Sequence, residues 1–310
     1  MGEALISRAG GGGEVESIIP ITPGYHTIRC TISDFEGKRV PEGIYINCKD
    51  GSRWYNYTTN ASGQVMFVCN SGSANIRINN SFSGIRYLDF NNTSYNIDAP
   101  VGLTSDIKIN LEKGPASCNI ESNTTIRFIQ NRITDVDMIG GGQGGYNGTG
   151  SFWSETRRRG QGGNAGWYNR ANNLQFISGI DYRCYIGTGG SINGGAGGTT
   201  YISNTNISAA GGGAGGTNAG RGGSSSNNYG GNGINGLGGG GGYFSYAPNT
   251  GGSPYGGYGA YWDYQDSTVY HMPAGSAKGP GGGGGGGDSE DQNPQGGAGY
   301  RGLIRINIKY

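Results

Sequence analysis

Charge is scarce in this sequence. Only 14% of its 310 residues are Asp, Glu, Lys or Arg, and the formal net charge is +1. A chain this close to neutral has no long-range field to steer it onto nucleic acid or anionic lipid. The only dense basic cluster, Arg157–Arg158–Arg159, is small enough for solvation or carboxylate pairing to absorb. Apolar residues are also few, at 33%, below the usual globular share. No run approaches the ~18 apolar residues of a membrane span, so no membrane insertion is expected. The opening "MGEALISRAGGGG" lacks a signal peptide's apolar stretch. It predicts a chain made in the cytoplasm that leaves, if at all, by a route other than ordinary secretion. Met-Gly at the start does not make a myristoylation site, because Ile6 stands where the pattern needs Ser or Thr.

Catalytic and metal-binding signatures are missing as well. Histidine occurs twice, His26 within a strand pattern and His271 in an aromatic segment. There is no HExxH, no G-x-S-x-G with triad partners and no G-x-x-x-x-G-K-[ST]. Carboxylate groups such as Asp263/Asp266 and Asp288/Glu290/Asp291 read as solvated loop residues, since glycoside hydrolysis needs two carboxyls held across a cleft. No enzyme, no cofactor and no metal site is expected. Five cysteines, Cys30, Cys48, Cys69, Cys118 and Cys184, leave one unpaired whatever the pairing, and none makes a CxxC. Most interrupt apolar strand patterns, as in "YINCKD" and "MFVCNS", so free buried thiols are expected rather than disulfides.

What the chain has in excess is glycine, 68 residues, distributed unevenly. Fourteen precede residue 140, which leaves 54 in the last 171 positions. The composition therefore places a boundary near Met138–Gly140. Residues 1–13 read as a tail whose Ala4, Leu5 and Ile6 could dock onto a partner, with the following glycines as a joint. Residues 14–113 read as all β. "YHTIRCTIS" puts His26, Ile28, Cys30 and Ile32 on one face, and Asp50-Gly51 in "GIYINCKDGSRWYNYTT" is a hairpin signal. "GQVMFVCNSGSANIRINN" gives two more strands, joined across Ser71-Gly72-Ser73, and "SDIKINLEK" closes the set with Ile107, Ile109 and Leu111 on one face. Six or seven short strands at this spacing predict a small antiparallel sandwich. Residues 114–139 read as a β-rich bridge into the next domain, and 140–310 as a glycine-rich domain.

The glycine runs could be a disordered linker, a strand array or packed polyglycine-II helices. Disorder fits badly, because most of the chain's aromatics lie between the runs. Strands gain no side-chain packing from glycine. In polyglycine II, with three residues per turn, every N–H and C=O points outward. Rods without Cβ atoms can then approach and bond side by side. Only several runs together could offset the conformational entropy glycine loses. The fold class predicted is all-β plus polyglycine II, a small antiparallel β-sandwich followed by packed rods with aromatic loops. Gly281–Gly287, within "AKGPGGGGGGGDSEDQN", is predicted to be one buried rod, and the terminal strand Leu303–Ile308 to pair with the strand leading into Gly140.

Two resemblances sharpen this. The stretch "RVPEGIYINCKDGSRWYNYTTNASGQVMFVCNSGSANIRI" resembles carboxypeptidase-regulatory-like (prealbumin-like) β-sandwich domains, which serve as spacers or binding modules. The order "VDMIGGGQGGYNGTG", the Ser178–Gly190 hairpin, the Ala209–Gly216 run and "GYRGLIRINIKY" resembles the glycine-rich domain of phage and prophage tail proteins. That second resemblance implies rods with receptor-binding loops, as in tail-tip adhesins.

The loop vocabulary suits recognition. "YFSYAPNTGGSPYGGYGAYWDYQDSTVYHMP" holds seven tyrosines beside Trp262, Phe244 and His271. Rigid amphipathic rings among Ser, Gly and Asn are the material of binding loops, and flat rings beside Asp or Asn suit sugars. The candidates are Trp153, Arg158, Trp167, Tyr246, Tyr255, Tyr258, Tyr261, Trp262, Asp263, Tyr264 and His271. Together with the resemblance they imply a tail-tip or tail-fibre protein exposed on a virion and made in the cytoplasm of a bacterial host. Its expected partners are a bacterial surface receptor, a cell-wall glycan foremost, and other tail or baseplate proteins through the N-terminal tail. A homo-oligomer, a trimer by preference, is also expected. The alternative is a purely structural virion component whose loops mediate assembly in a baseplate or capsid. RNA binding would rest on Gly220-Arg221-Gly222 alone, and no nucleic-acid partner is expected.

Overall fold

The computed structural model describes residues 3–6, 17–20, 26–70, 73–98, 104–148, 160–213, 232, 238–242, 251–252, 255–257, 261–265, 268–272, 274–287 and 295–310. Among the described residues there are strands but no helix. The first two strands, β1 (Glu3–Ile6) and β2 (Ser17–Pro20), pair with each other in an antiparallel ladder that sets Ala4, Leu5 and Ile6 opposite Ile19, Ile18 and Ser17.

The sandwich follows. Its strands are β3 (His26–Ser33), β4 (Tyr45–Asp50), β5 (Arg53–Thr58), β6 (Gln64–Cys69) and β7 (Ser73–Ile78). After the short β8 (Ser81–Phe82) and β9 (Ile85–Tyr87) come β10 (Thr93–Asp98) and β11 (Thr104–Asn110). One sheet runs β10-β7-β4-β5 and the other β11-β3-β6. The period-two alternation of β3 turns His26, Ile28, Cys30 and Ile32 inward, where they meet Ile46, Cys48, Phe67 and Ile76, all 0–1% exposed. Each buried Ile or Phe contributes about 1.5–3 kcal/mol. The β4–β5 hairpin turns at Gly51-Ser52, where Gly51 takes φ +60°, a conformation its missing Cβ makes cheap.

Two expectations need correction. The sandwich is not purely antiparallel, because β11 runs parallel to β3. It follows β10 of the opposite sheet rather than a hairpin, so no tight turn forces antiparallel pairing. The strands β6 and β7, adjacent in sequence, lie in different sheets and do not pair with each other.

The remaining strands are β12 (Ser117–Ile120), β13 (Thr124–Arg127), β14 (Arg132–Ile139), β15 (Tyr168–Phe176), β16 (Tyr182–Tyr185), β17 (Thr200–Ile202) and β18 (Ser208–Ala209). The hairpin β19 (Tyr261–Gln265) and β20 (Thr268–Met272) precedes the terminal β21 (Leu303–Lys309). Apart from β19 and β20, which pair only with each other, these strands form a sheet β12-β21-β14-β15 and, with β8 and β9, a sheet β18-β17-β16-β13-β9-β8 over a second core of Ile126, Phe128, Val136, Met138, Phe176 and Ile304. As expected from the sequence, β21 pairs antiparallel with β14, Leu303 opposite Ile139 and Ile308 opposite Thr134. Segment 114–139 is thus built into both sheets, and β9, from residues 85–87, joins the second of them beside β13.

At the junction of the two cores Arg132 is buried, its Nε 3.1 Å from Asp89 Oδ2 and its Nη2 3.7 Å from Asp34 Oδ2. Asp89 also accepts the N–H groups of Ile129 and Gln130, at 3.0 and 3.2 Å. The Phe35 and Tyr310 rings meet edge to face at 5.3 Å, both against the Arg132 guanidinium.

Beyond β14 the chain leaves the sheets as Gly140–Tyr146, and its backbone bonds follow a threefold rhythm. Gly140, Gln143 and Tyr146 donate to the carbonyls of Trp167, Asn164 and Gln161. Gly141 and Gly144 donate to Gly198 and Gly195, and Gly142 and Gly145 to Tyr300 and Gly297, all at 2.7–3.0 Å. Each of these three neighbours is met again every third residue and runs antiparallel. Gly281–Gly287, buried along its whole length, shows the same period, with two of its neighbours parallel to it and two antiparallel. Its Gly284 and Gly287 donate to Gln143 and Tyr146, and its Gly283 and Gly286 to Gly239 and Gly242. Its Gly287, Gly284 and Gly281 carbonyls accept from Gly160, Gly163 and Gly166, while Gly285 and Gly282 accept from Gly297 and Tyr300. Buried backbone groups need partners, and here neighbouring runs supply them. A methyl group added at Gly142, Gly145 or Gly284 would overlap the carbonyl of Gly282, Gly285 or Gly297 respectively.

Candidate recognition end of the glycine bundle

The two ends of this bundle differ. At one end Gly140, Trp167, Gly187, Gly198, Ala210 and Gly302 adjoin the β-sheets, several bonded to one another: Gly140 to Trp167, Trp167 to Ala210 and Gly302 to Gly187. The opposite end is marked by Tyr146, Gly160 and Gly287, linked by Gly160 N–H to Gly287 O and Gly287 N–H to Tyr146 O at 2.8 and 2.9 Å. Gly296 joins them through Asn147 Oδ1 at 3.0 Å, Gly194 through Gly145 O and Gly242 through Gly286 N–H. Gly257 bonds to Gly242, and Gly275 accepts from Gly285. Five connections therefore leave and re-enter the bundle at this end: 146 to 160, 190 to 195, 242 to 251, 257 to 275 and 287 to 296.

The anchor of this end is Gln143, the one side chain set between the first glycines. Its Oε1 accepts from Asn164 N–H and Nδ2 at 3.2 and 3.0 Å. Its Nε2 donates to the Tyr146 hydroxyl and the Gly194 carbonyl at 3.1 and 3.2 Å. Tyr146, 42% exposed, thereby stands fixed at the rim. Neither residue is among the candidates read from sequence. The single polar interruption in "GGGQGG" was the available signal.

The predicted site residues fall into three groups. Trp153, Arg158, Tyr246 and Tyr258 lie outside the described residues. Tyr261, Trp262, Asp263 and Tyr264 form β19 and His271 lies on β20, with Trp262 the register partner of His271 and Asp263 that of Tyr270. This hairpin belongs to the connection from 257 to 275, so the register brings five candidates together.

Trp167 and Tyr255 belong elsewhere. Trp167 sits at the sheet end, its N–H bonded to Ala210 and its carbonyl to Gly140. Tyr255 donates to Gly238 and accepts from Lys278, and its ring lies over Gly279, where an added methyl would strike it. Ala4, Leu5 and Ile6 are in the β1–β2 ladder.

All five cysteines are free and buried. Burial pushes the thiols of Cys30, Cys69 and Cys184 up to about 12 and raises Cys48 and Cys118 as well, which removes the thiolate that nucleophilic chemistry needs. His26 is fully buried in the sandwich core, its ring nitrogens without hydrogen-bond partners. Among the described residues no group of three His, Cys, Asp or Glu is placed to hold a metal ion.

No protein-family model matches the sequence, and no curated protein matches it. Among solved structures, the chain is similar to the Bacillus anthracis TIE protein at 11% identity and a TM-score of 0.26, over 52% of this chain and 27% of that one. It is also similar to a streptococcal ancillary pilin at 10% identity and a TM-score of 0.27, over 58% and 53% of the two chains. The chain thus spans about a quarter and about half of these two neighbours.

Proposed function

We propose that this chain is a phage or phage-derived tail-tip or tail-fibre protein that recognises a bacterial surface receptor, a cell-wall glycan, through aromatic loops on a polyglycine-II scaffold. The three-residue return of each hydrogen-bonded neighbour along Gly140–Tyr146 supports the scaffold, because polyglycine II has three residues per turn. The observation that carries the functional reading is the convergence of five connections on the bundle end opposite the sheets. The connections 146–160, 242–251 and 257–275 contain Trp153, Arg158, Tyr246, Tyr258, Tyr261, Trp262, Asp263, Tyr264 and His271. Loops presented together from a rigid base are the arrangement that binding favours. The protein then acts by adhesion rather than catalysis, exposed on a virion, and attaches to tail or baseplate proteins through its N-terminal segment.

The test uses the full chain, because β9 and Leu88 take part in the second sheet and core and a fragment beginning at 114 would lack them. Fluorescently labelled protein is incubated with a panel of bacterial cell-wall preparations. Micromolar or tighter binding to one of them, lost in Trp262→Ala/Tyr264→Ala, supports the adhesin reading. Absence of binding across the panel, with these loops protected inside an assembled particle, would replace it with a structural virion role.

A further inference from the structure

The sandwich carries a second surface that the loop end does not use. On the outer face of the sheet β10-β7-β4-β5, one cross-strand row reads Trp54–Lys49–Asn75–Asn96 and the next Asn56–Asn47–Arg77–Ser94. The inner face of the same strands is core, yet Trp54, on the edge strand β5 beside the hairpin turn, remains 42% exposed on this largely polar surface.

The groups around the indole are already ordered. Arg77 Cζ stands 4.5 Å and Lys49 Nζ 5.8 Å from the Trp54 ring centroid. Arg77 Nε is held by Asn75 Oδ1 at 3.2 Å, and Asn75 Nδ2 bonds to Asn96 Oδ1 at 2.7 Å. Asn47 bonds to Asn56 in the neighbouring row. Each amide carries two donors and an acceptor oxygen with two lone pairs, so these bonds fix the side chains and leave hydrogen-bonding capacity facing out. Among the described residues neither Lys49 nor Arg77 forms an ion pair. The only acidic position on these rows' side of the sheet is Asp98, opposite Ser73 in the row next to that of Trp54.

We propose that this face is a binding surface for a carboxylate-bearing polysaccharide, separate from the loop end. The C–H face of a sugar ring covers the indole, the two cations take the carboxylate, and the fixed amides bond the hydroxyls. Guanidinium geometry matches a carboxylate bidentately. Pre-ordering lowers the entropy lost on binding. A single-stranded nucleic acid fits less well, because it needs successive stacking platforms and a continuous basic track. This face offers one indole and two cations on a chain of net charge +1.

The proposal goes beyond the loop-end reading and is tested apart from it. The full chain is run by affinity electrophoresis in gels containing polygalacturonate, alginate or hyaluronate, with neutral dextran and a single-stranded oligonucleotide as comparators. Retardation is expected in at least one acidic-polysaccharide gel and not in dextran. Trp54→Ala and Arg77→Gln should each weaken it about tenfold, as loss of an anchoring Trp or Arg does, whereas Trp262→Ala should leave it unchanged. Both substitutions are at exposed positions, and an unaltered circular-dichroism spectrum checks the fold. Retardation in none of the three gels overturns the proposal, as does retardation indifferent to Trp54→Ala and Arg77→Gln. Stronger Trp54-dependent binding of the oligonucleotide overturns it in favour of nucleic acid.

Discussion

The Gly284 N–H donates to the Gln143 carbonyl at 2.9 Å, and three residues later the Gly287 N–H donates to the Tyr146 carbonyl at the same distance. A contact between segments about 140 residues apart thus repeats with the period of the backbone itself. No side chain takes part, so what holds the pair together is the absence of one. Gly284→Val is the sharpest test of this. Its Cβ would overlap the Gly297 carbonyl, which is backbone and cannot swing away. Overpacking typically costs about 1–3 kcal/mol, more where only backbone could yield as here, and the substitution should abolish folding of the glycine-rich part. Loss of amide protection along 281–287 by hydrogen exchange would register it. A variant with wild-type protection would mean that the seven glycines are only a linker.

Gln143 should be the most sensitive non-glycine position in the bundle. Gln143→Ala removes the acceptor of Asn164 and the donor to Tyr146 and Gly194 together. Losing hydrogen bonds at a buried site costs about 1–3 kcal/mol. Thermal unfolding should show a clearly lowered Tm, with the strands of the sandwich unaffected in their exchange pattern.

Breaking the junction should destabilise both cores at once. Arg132→Met leaves Asp34 and Asp89 buried without their cation, and breaking a buried pair costs roughly 3–5 kcal/mol. Chemical denaturation of the full chain should show the loss.

Two carboxylates give stability opposite dependences on pH. Burial raises the Asp89 carboxyl above its ordinary value, against the pull of the Ile129 N–H and Arg132. Its contribution is therefore present at low pH and lost as pH rises through the folded-state value. The Lys309 hydrogen bond, then the Asn173 N–H, holds Asp135 below its ordinary value. That contribution is present above the ordinary carboxyl range near 4 and lost as pH falls below it. Asp135→Asn should flatten the acid limb of a stability-versus-pH profile, and Asp89→Asn the decline above it. A profile unchanged in either variant contradicts the corresponding assignment.

The buried thiols should be inert in the folded chain. Iodoacetamide at mildly alkaline pH should leave all five cysteines unmodified by mass spectrometry, and all five should react after denaturation. Labelling of Cys30, Cys69 or Cys184 in the native protein would contradict their burial.

Much of the strand content was legible because alternation is local. His26, Ile28, Cys30 and Ile32 announce one buried face by spacing alone, and Gly51 marks its hairpin. The pairing of β21 with β14 could be anticipated because both flank the glycine region with matching apolar patterns. The parallel run of β11 beside β3, the parting of β6 from β7 and the insertion of β9 beside β13 could not be read in advance. Each is a choice among partners that have the same local pattern. The candidate site divides the same way. Tyr261 to Tyr264 and His271 come together on one hairpin, whereas Trp167 and Tyr255, equally aromatic and equally embedded in glycine, sit away from it. Trp54 is set beside Lys49 and near Arg77 by the ladder alone.

By itself, then, the sequence determined that this is a β protein with a glycine-rich half, because side-chain periodicity and the lack of Cβ atoms act within a few residues. Tertiary structure alone decided which run neighbours which and where each aromatic ends up. Glycine carries no side chain to encode a partner, so the choice falls to backbone hydrogen bonds that only the assembled bundle can satisfy.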